Sequence, residues 1–227
     1  MRPWPIDIIG VLLAWLALLA AACGEWVEVP SVRQSGHPGI LGQIEDRMAG
    51  PTRWTGNPNL LLWAHETTHS LNSQISRPEK GKADLYFVPI GGMAYRVYRP
   101  DHTVYVGIQN GLHTFEHPWP VSAAELIRAI GGRRRAPSTA TYHATILEDR
   151  NESLFLHELS AFVCGIEAGR QFGQNVQADV VSALDMLDGS RALASLTRQR
   201  GYPQTAAEIE EFCAWCLAYL RDNGLVR

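Results

Sequence analysis

The chain has 227 residues, of which 46% are hydrophobic and 19% are charged. This length and composition suit one folded domain with a sizeable core. The formal net charge is -3 at pH 7, so there is no broad basic field and we expect no nucleic-acid partner. The one basic run, at residues 133–135, follows two glycines and precedes Ala136-Pro137, which is typical of a solvated loop.

Residues 1–22 have the character of an export signal. Arg2 gives a weakly positive start, and Ile8 to Ala22 is an uncharged run that ends in small residues. The run is short for a membrane-spanning helix. Cys23 follows directly, and the junction resembles a bacterial lipobox, in which the cysteine is lipidated and becomes the mature N-terminus. We therefore expect a signal peptide or membrane anchor, and a protein that is lipid-anchored at Cys23 or otherwise secreted or periplasmic.

Glycine and proline punctuate residues 23–56, which show little periodicity. We interpret this segment as a tether followed by irregular chain, with one short helix from Ile40 to Met48. The folded domain is then expected at residues 57–227.

A helix with clear start and stop signals opens that domain. Asn57 is a good N-cap and Pro58 suits the first helical position. The helix is expected to end near Ser73 or Ser76, because Pro78 cannot continue it.

The sequence His65-Glu66-Thr67-Thr68-His69 lies inside this helix and is an H-E-x-x-H motif. Residues four apart share a helix face, so both imidazoles can reach one metal ion. The glutamate between them is placed to act as general base toward an activated water. Catalytic zinc usually has three protein ligands, so a third ligand has to come from elsewhere in the chain.

The region after the motif changes character. Residues 82–109 are rich in β-branched and aromatic side chains, which predicts an antiparallel meander. Residues 113–120 are predicted to form a loop. The three strands are expected at 83–90, 93–98 and 103–108.

The rest of the chain is predicted to be helical. Ser122 and Glu125 form a capping box for a helix that ends at Ile130. A long helix follows from Tyr142 to Phe172 and is interrupted near Asn151. Two further helices are expected at 175–187 and 190–199.

The last helix has the clearest signals. Thr205 and Glu208 form a capping box, an apolar stripe follows, and Gly224 comes after the end. Cys213 and Cys216 lie on the apolar stripe, so we interpret them as small buried residues, with a disulfide between them as an alternative. The whole pattern predicts an α+β fold that is mostly helical, with a small antiparallel β-meander and a C-terminal helical bundle.

The third metal ligand is expected in residues 151–165. Glu158 lies on an apolar face whose small residues permit close approach to another helix, and a lone carboxylate there needs a strong partner. Glu152 and His157 are alternatives, although His157 points about 100° away from Glu158. His157 could also belong to a second, structural metal site with Cys164, Cys213 and Cys216.

Two segments resemble HExxH zinc metallopeptidases of the gluzincin type. One is the motif helix, and the other is Glu158-Leu-Ser-Ala161-Phe162, which is similar to the E-x-x-A-[FY] segment that carries the glutamate ligand in that class. The resemblance implies a zincin-like helix pair with Zn²⁺ held by His65, His69 and Glu158, and with Glu66 as the base. Thermolysin-like members carry an aspartate where this chain has Phe162, and that aspartate orients one histidine.

The resemblance also implies a donor for the oxyanion. Tyr142 and His143 are the leading candidates, because such donors often precede the ligand helix in gluzincins. Further candidates are His113, His117, Tyr95 and Tyr105. We expect an exported metallopeptidase that hydrolyses peptide bonds in a peptide or protein substrate. The alternatives are a catalytically silent zincin-like binding or scaffolding lipoprotein, and a zinc amidase that acts on cell-wall material.

Overall fold

The computed structural model describes residues 24–50, 59–100, 105–109, 112–115, 119–131, 136–149 and 153–227, with strands 105–109 and 112–115 described by their backbone. The predictions for residues 1–23, and those that involve Asn57, Pro58, His117, Asn151 and Glu152, lie outside these ranges. The described architecture is α+β and mostly helical, with a small antiparallel sheet, which confirms the predicted fold class.

The elements follow one another along the chain, and a short turn of 3₁₀ helix at Arg77–Glu79 follows the second α-helix. In order they are β1 (Glu25–Glu28), α1 (Gly39–Glu45), α2 (Leu60–Ser76), β2 (Ala83–Phe87), β3 (Met93–Tyr98), β4 (Tyr105–Gln109), β5 (Leu112–Phe115), α3 (Ala123–Ile130), α4 (Thr139–Asp149), α5 (Leu154–Gln171), α6 (Gln177–Gln199) and α7 (Pro203–Asp222).

The main sheet has the strand order β1-β3-β2 with antiparallel pairings throughout. The predicted meander is therefore right for β2 and β3 and wrong for its third strand. β4 pairs instead with β5 in a separate two-stranded sheet, so His113 lies in a strand and not in a loop. β1 takes the third place because Trp26 packs edge-on against Tyr95 and Trp215, a tertiary contact that the glycine- and proline-rich sequence around it does not reveal.

Helix α2 begins at Leu60, and its N-cap is Asn59, whose side chain accepts a hydrogen bond from the Leu62 backbone N–H at 3.1 Å. The N-cap thus lies two positions later than the sequence predicts. The predicted end at Ser76 is confirmed, as is the capping box of Ser122 on α3.

The predicted long helix is two helices, α4 and α5, and the interruption falls where it was expected. The two helices predicted at 175–187 and 190–199 are one helix, α6, which runs through Gly189. A Cβ at that position would lie 2.4 Å from the Phe155 ring, so the glycine lets α6 pack closely against α5. This packing favours a continuous helix despite the low helix propensity of glycine.

Helix α7 starts at Pro203 without a side-chain cap, so the predicted capping box of Thr205 and Glu208 is wrong. The Glu208 carboxylate accepts a hydrogen bond from the Tyr98 backbone N–H at 2.7 Å, and this contact ties the helix to strand β3. The predicted end is confirmed, because Gly224 has a φ of +69° just beyond the helix.

Helix α5 is the centre of the fold and is buried along almost its whole length. One apolar cluster joins it to α6, α7 and the sheet, and a second cluster joins it to α1, α2 and the sheet. The second cluster includes Ile40, Ile44, Trp63, Leu71, Phe87 and Cys164. In the described parts of the chain, no helix combines the length and the apolar character needed to span a bilayer.

Candidate metal centre

Helices α2 and α5 approach each other closely at the motif. A Cβ added at Gly165 of α5 would lie 3.0 Å from the Leu61 carbonyl oxygen and 3.3 Å from the Cβ of His65. A second glycine, Gly169, faces Leu61 one turn further along α5. This close approach confirms the predicted role of small residues on α5. It also fixes the distance between the His65 backbone and α5.

The two motif histidines and Glu158 converge at this contact. His65 Nε2 lies 3.2 Å from His69 Nε2 and 3.3 Å from Glu158 Oε2. His69 Nε2 lies 3.4 Å from Glu158 Oε1. Among the described residues, this is the one cluster of three or more potential metal ligands whose donor atoms all lie within 4.8 Å of one another. The structure thus brings together the three ligands that the sequence predicts.

The spacing of these atoms fits a tetrahedral metal ion. Ligands at roughly 2.0–2.1 Å from a tetrahedral zinc ion stand roughly 3.3–3.4 Å apart. Each imidazole lies near this distance from the other imidazole and from one of the two carboxylate oxygens of Glu158, Oε2 for His65 and Oε1 for His69. The buried Oε2 of Glu158 also has no donor in good hydrogen-bond geometry within the described structure. Two imidazoles and one carboxylate that converge in a buried place form a group that could hold a metal ion.

The charges of the cluster favour ligand chemistry at Glu158. Burial by itself would raise the pKa of the Glu158 carboxyl, but the charges and polar contacts of His69 and His65 outweigh burial and hold the pKa well below its usual range. The carboxylate is therefore ionised, as a metal ligand must be. Burial lowers the pKa of His69, but the Glu158 carboxylate more than compensates, so the net pKa lies above the ordinary value of 6.5.

A buried polar network fixes the helix pair against strand β2. Asn72 of α2 donates to Ser160 Oγ of α5 at 3.1 Å, and it accepts from the Phe87 backbone N–H at 2.8 Å. Ser160 Oγ donates in turn to the Phe87 carbonyl at 2.7 Å. Each of these groups is buried, so breaking one bond leaves another group without a partner. The network holds the two ligand-bearing helices at a fixed distance from the sheet.

The same contacts close the free edge of β2. The Leu85 backbone N–H donates to Ser76 Oγ at 2.8 Å. Leu85 lies two residues before Phe87 on the same strand. The outward-facing backbone groups at Leu85 and Phe87 are thus bonded to side chains of α2 and α5. An extended peptide cannot add to this edge by strand pairing, because the groups it would need are already paired.

Glu66 and Tyr142 are half-buried residues that interact electrostatically with the cluster. The negative charge of Glu66 raises the pKa values of both His69 and Tyr142, although other groups have larger effects on each. Burial raises the pKa of Tyr142, and the charge and hydrogen bonding of Glu158 raise it further. The phenol is therefore a proton donor at neutral pH. The Tyr142 ring also packs edge-on against Phe162, at 6.1 Å between ring centroids.

Phe162 lies where the resembling family has an orienting aspartate, and its ring packs on His65 at a centroid distance of 4.5 Å. It therefore fixes the imidazole by shape and not by a hydrogen bond. A second carboxylate that interacts electrostatically with His65 is that of Asp179, in the first turn of α6. Burial raises the pKa of Asp179, and His65 acts on it in the opposite direction.

Other predicted site residues lie in different surroundings. His143 is buried with its ring 6.0 Å from that of Phe155, and His157 is buried with its ring 5.1 Å from that of Tyr86, so neither joins the three ligands. Tyr95 is buried and stacks on Phe212 at 5.6 Å. Strands β4 and β5 contain Tyr105 and His113, which are described by their backbone.

The cysteines do not form a second metal site with His157. Cys164, Cys213 and Cys216 are free and buried, and none belongs to a metal-ligand cluster within the described structure. Burial raises the pKa of the Cys164 and Cys213 thiols to about 12, so both are protonated at neutral pH. The interpretation of Cys213 and Cys216 as small buried residues is confirmed, and the alternative of a disulfide is wrong.

Sequence reasoning missed the residues that support the site. Asn72 and Ser160 are common polar residues, and only the meeting of two helices with a strand gives them a role. Asp179 lies 21 positions after Glu158, on another helix, with no local motif around it. Helix capping is the signal that could have marked Asp179, since it is the acidic residue in the first turn of α6.

Comparison of the chain with known protein families, with curated proteins and with solved structures finds no match. The geometry and chemistry of the cluster are therefore the basis for a function.

Proposed function

We propose that the chain is a zinc-dependent metallopeptidase whose metal is held by His65, His69 and Glu158. The observation that carries the proposal is the convergence of three side chains: the Nε2 atoms of His65 and His69 lie 3.2 Å apart, and they lie 3.3 and 3.4 Å from the two Glu158 oxygens. The two histidines belong to an H-E-x-x-H motif on a buried helix. Two histidines and one glutamate form a ligand set that is known from catalytic zinc sites and leaves a fourth position open. The fold then corresponds to a zincin-like helix pair, with α2 and α5 as its two helices.

Bound zinc supplies the electrophilic chemistry, since it lowers the pKa of a coordinated water and polarises the substrate carbonyl. Glu66 supplies the base. It follows the first ligand on α2, and its side chain is half-buried beside His69. It takes the proton of the attacking water and passes it to the leaving amine, as a general base and then a general acid.

Tyr142 is the residue best placed to donate to the developing oxyanion. Its phenol is protonated and hydrogen-bonds with Glu158, and its ring packs against Phe162. A donor aimed at the charge that forms in the transition state is worth about a hundredfold or more in rate. His143 is the weaker candidate of the two, because its ring packs into the core against Phe155.

We also propose that the enzyme works outside the cytoplasm. Residues 1–22 support this by their resemblance to a signal peptide or membrane anchor, and Cys23 by its place after the small residues that end the apolar run. A peptide or protein of the cell envelope is then the expected substrate. Mass analysis of the N-terminus and fractionation of a bacterial host test this proposal. We expect a lipid on Cys23 and protein in the envelope fraction, whereas an unprocessed chain in the cytoplasm would contradict export.

The direct test compares the wild-type protein with Glu66→Gln. We expect one zinc ion per chain in both proteins by elemental analysis, and hydrolysis of a mixed peptide library by the wild type alone. Glu148→Gln is the matched control, because Glu148 is exposed on α4, and it should keep both zinc and activity.

Each alternative has its own outcome in this test. Zinc without turnover of any peptide would contradict the peptidase and favour a binding or scaffolding protein. Hydrolysis of amide bonds in cell-wall fragments but not in peptides would favour the amidase. A wild-type protein without metal would end the zincin interpretation.

A further inference from the structure

The outer edge of β2 is closed to a peptide substrate by hydrogen bonds with side chains. In many peptide-binding proteins an extended ligand pairs with a free strand edge. Here Asn72, Ser76 and Ser160 occupy the outward-facing groups of Leu85 and Phe87. A substrate therefore cannot pair with this edge of β2, and side chains near the metal ligands are an alternative means of recognition.

An open cleft lies one helical turn before the first proposed ligand, at the start of α2. Its volume is about 520 Å³, and it lies between the start of α2 and the turn that joins α5 to α6. Leu61 is one helical turn before His65, and its carbonyl faces Gly165 alongside the Cβ of that histidine. The cleft thus adjoins the face of α2 that carries the first ligand. Its described lining residues are Asn59, Leu61, Leu62, Gln174, Asn175 and Asp179.

Asp179 is the one charged residue in this described lining. Its carboxylate is half-buried at the start of α6, and neither lysine nor arginine forms an ion pair with it within the described structure. It is also close enough to His65 and Tyr142 for its charge to be felt by both. A half-buried carboxylate that is paired with neither lysine nor arginine can bind a cation from outside the chain.

The apolar wall of the cleft suits the stem of a long basic side chain. Leu62 is 37% exposed, which is high for a leucine on a helix that is otherwise well buried. Lysine and arginine lay their methylene groups along such surfaces and extend the charged end to a carboxylate. An apolar wall with one acid at its end is complementary to this shape.

We propose that this cleft is the specificity site of the enzyme and that Asp179 binds a cationic group of the substrate, a lysine or arginine side chain or a free α-amino group. This inference rests on the proposed function, since it assigns a substrate class to the same metal centre. It does not require Asp179 to take part in the chemical step.

The test measures binding, so it does not depend on turnover. Zinc-loaded Glu66→Gln protein is titrated with fluorescent alanine-rich peptides in which one position is lysine, norleucine or glutamate, each with a free or an acetylated N-terminus. We expect one lysine position, or the free amino terminus, to bind about tenfold more tightly than its neutral counterpart. The acetylated peptides distinguish a side-chain site from a site for the chain terminus.

Variants then locate the site. Asp179→Asn should remove the preference for the cationic peptides, Asp179→Glu should retain it, and Asp179→Lys should shift it toward the glutamate peptide. Asp222→Asn removes one exposed carboxylate from the end of α7 and should change nothing. Zinc content and circular dichroism confirm that each variant is folded and loaded.

Two results would overturn the proposal. One is equal binding of charged and neutral peptides by the protein with Asp179 intact. The other is an equal loss of binding for all peptides in Asp179→Asn with a fall in zinc content, which would make Asp179 a positioning residue for His65. Hydrolysis of the same peptides by the wild type tests the proposed function separately, because a peptidase without charge preference would refute this inference alone.

Discussion

Helix α5 contributes to two clusters of histidine, glutamate or cysteine residues, which are residue types that bind metals. The side chains converge in one cluster and pack into the apolar core in the other. On one face, Glu158 meets His65 and His69, and the three donor atoms converge on one point. The other group was predicted from the sequence as an alternative site and consists of His157, Cys164, Cys213 and Cys216. All four residues are buried, yet the imidazole packs on Tyr86 and the cysteines lie in the apolar core.

The difference shows that ligand types alone do not make a site. Glu158 is held in its charged form by two imidazoles, whereas burial raises the pKa of Cys213 to about 12 and so keeps the thiol neutral. A neutral thiol is a small apolar residue that needs no partner, but a buried carboxylate needs compensation. The prediction of metal binding is therefore strong where buried charge converges and weak where neutral groups pack.

The largest expected effect is the loss of a ligand. His69→Ala should abolish hydrolysis and reduce zinc affinity by more than the roughly 10- to 100-fold that removal of an outer-shell partner costs. Isothermal titration of metal-stripped protein with zinc measures this directly. His157→Ala is the matched control from the second group and should keep zinc affinity within about twofold. Equal losses in both variants would break the comparison.

Widening the gap between α2 and α5 should lower zinc affinity at the same cluster, but by less than the loss of a ligand. In Gly165→Val the new side chain meets the Leu61 carbonyl, and overpacking of this kind costs about 1–3 kcal/mol. We expect the variant to bind zinc more weakly and to have a lower free energy of unfolding. Urea unfolding with and without zinc measures both, because the gain in unfolding free energy on adding zinc reports the zinc affinity. Gly50→Ala is the control, because a Cβ there meets nothing within 4 Å. Destabilisation with unchanged zinc affinity would show that the helix spacing does not set the site.

The pH dependence of the metal-free protein follows from the same cluster. The pKa of His69 is raised above 6.5, so its contribution to stability is full below pH 6.5 and is lost as pH rises through the raised value. The pKa of Glu158 is lowered from 4.5, so its contribution is present above pH 4.5 and is lost as pH falls. The Tm of the metal-free protein should therefore include the full stabilisation from this cluster between pH 4.5 and pH 6.5.

With zinc bound, stability should no longer fall as pH rises through the raised pKa of His69. Protons compete with the metal for His69, so zinc affinity rises as pH increases through the raised pKa of that histidine. The stabilisation by zinc, measured as the difference in Tm with and without the metal, should grow over this range. A zinc effect that is independent of pH would mean that His69 is not a ligand.

The smallest expected effect belongs to the cysteines. Cys213→Ala and Cys216→Ala should each lower the unfolding free energy by about 1 kcal/mol, because each removes one buried sulfur from the core. Zinc content and hydrolysis should be unchanged. Loss of a second equivalent of zinc in either variant would revive the second site.

The site was predictable from the sequence because its signals are local. The H-E-x-x-H spacing fixes one helix face, and Glu158 is marked by a carboxylate on an apolar face with small neighbours. The end of α2 at Ser76 and the interruption between α4 and α5 follow from equally local signals.

The errors arose where tertiary contacts outweigh local preference. Strand β1 forms because Trp26 packs between Tyr95 and Trp215, although its sequence context favours irregular chain. Glu208 has the spacing of a capping box but bonds to the Tyr98 backbone N–H instead. Asp179 and Asn72 take their roles from elements that are distant in the chain, which no window of sequence contains.

The central claim is that His65, His69 and Glu158 hold a metal ion, and zinc content tests it most directly. Purified wild-type protein, Glu158→Ala and Glu152→Ala are analysed for metal after dialysis against trace zinc. We expect one zinc ion per chain in the wild type and in Glu152→Ala, and almost none in Glu158→Ala. A metal-free wild type, or zinc retained by Glu158→Ala and lost from Glu152→Ala, would contradict the account.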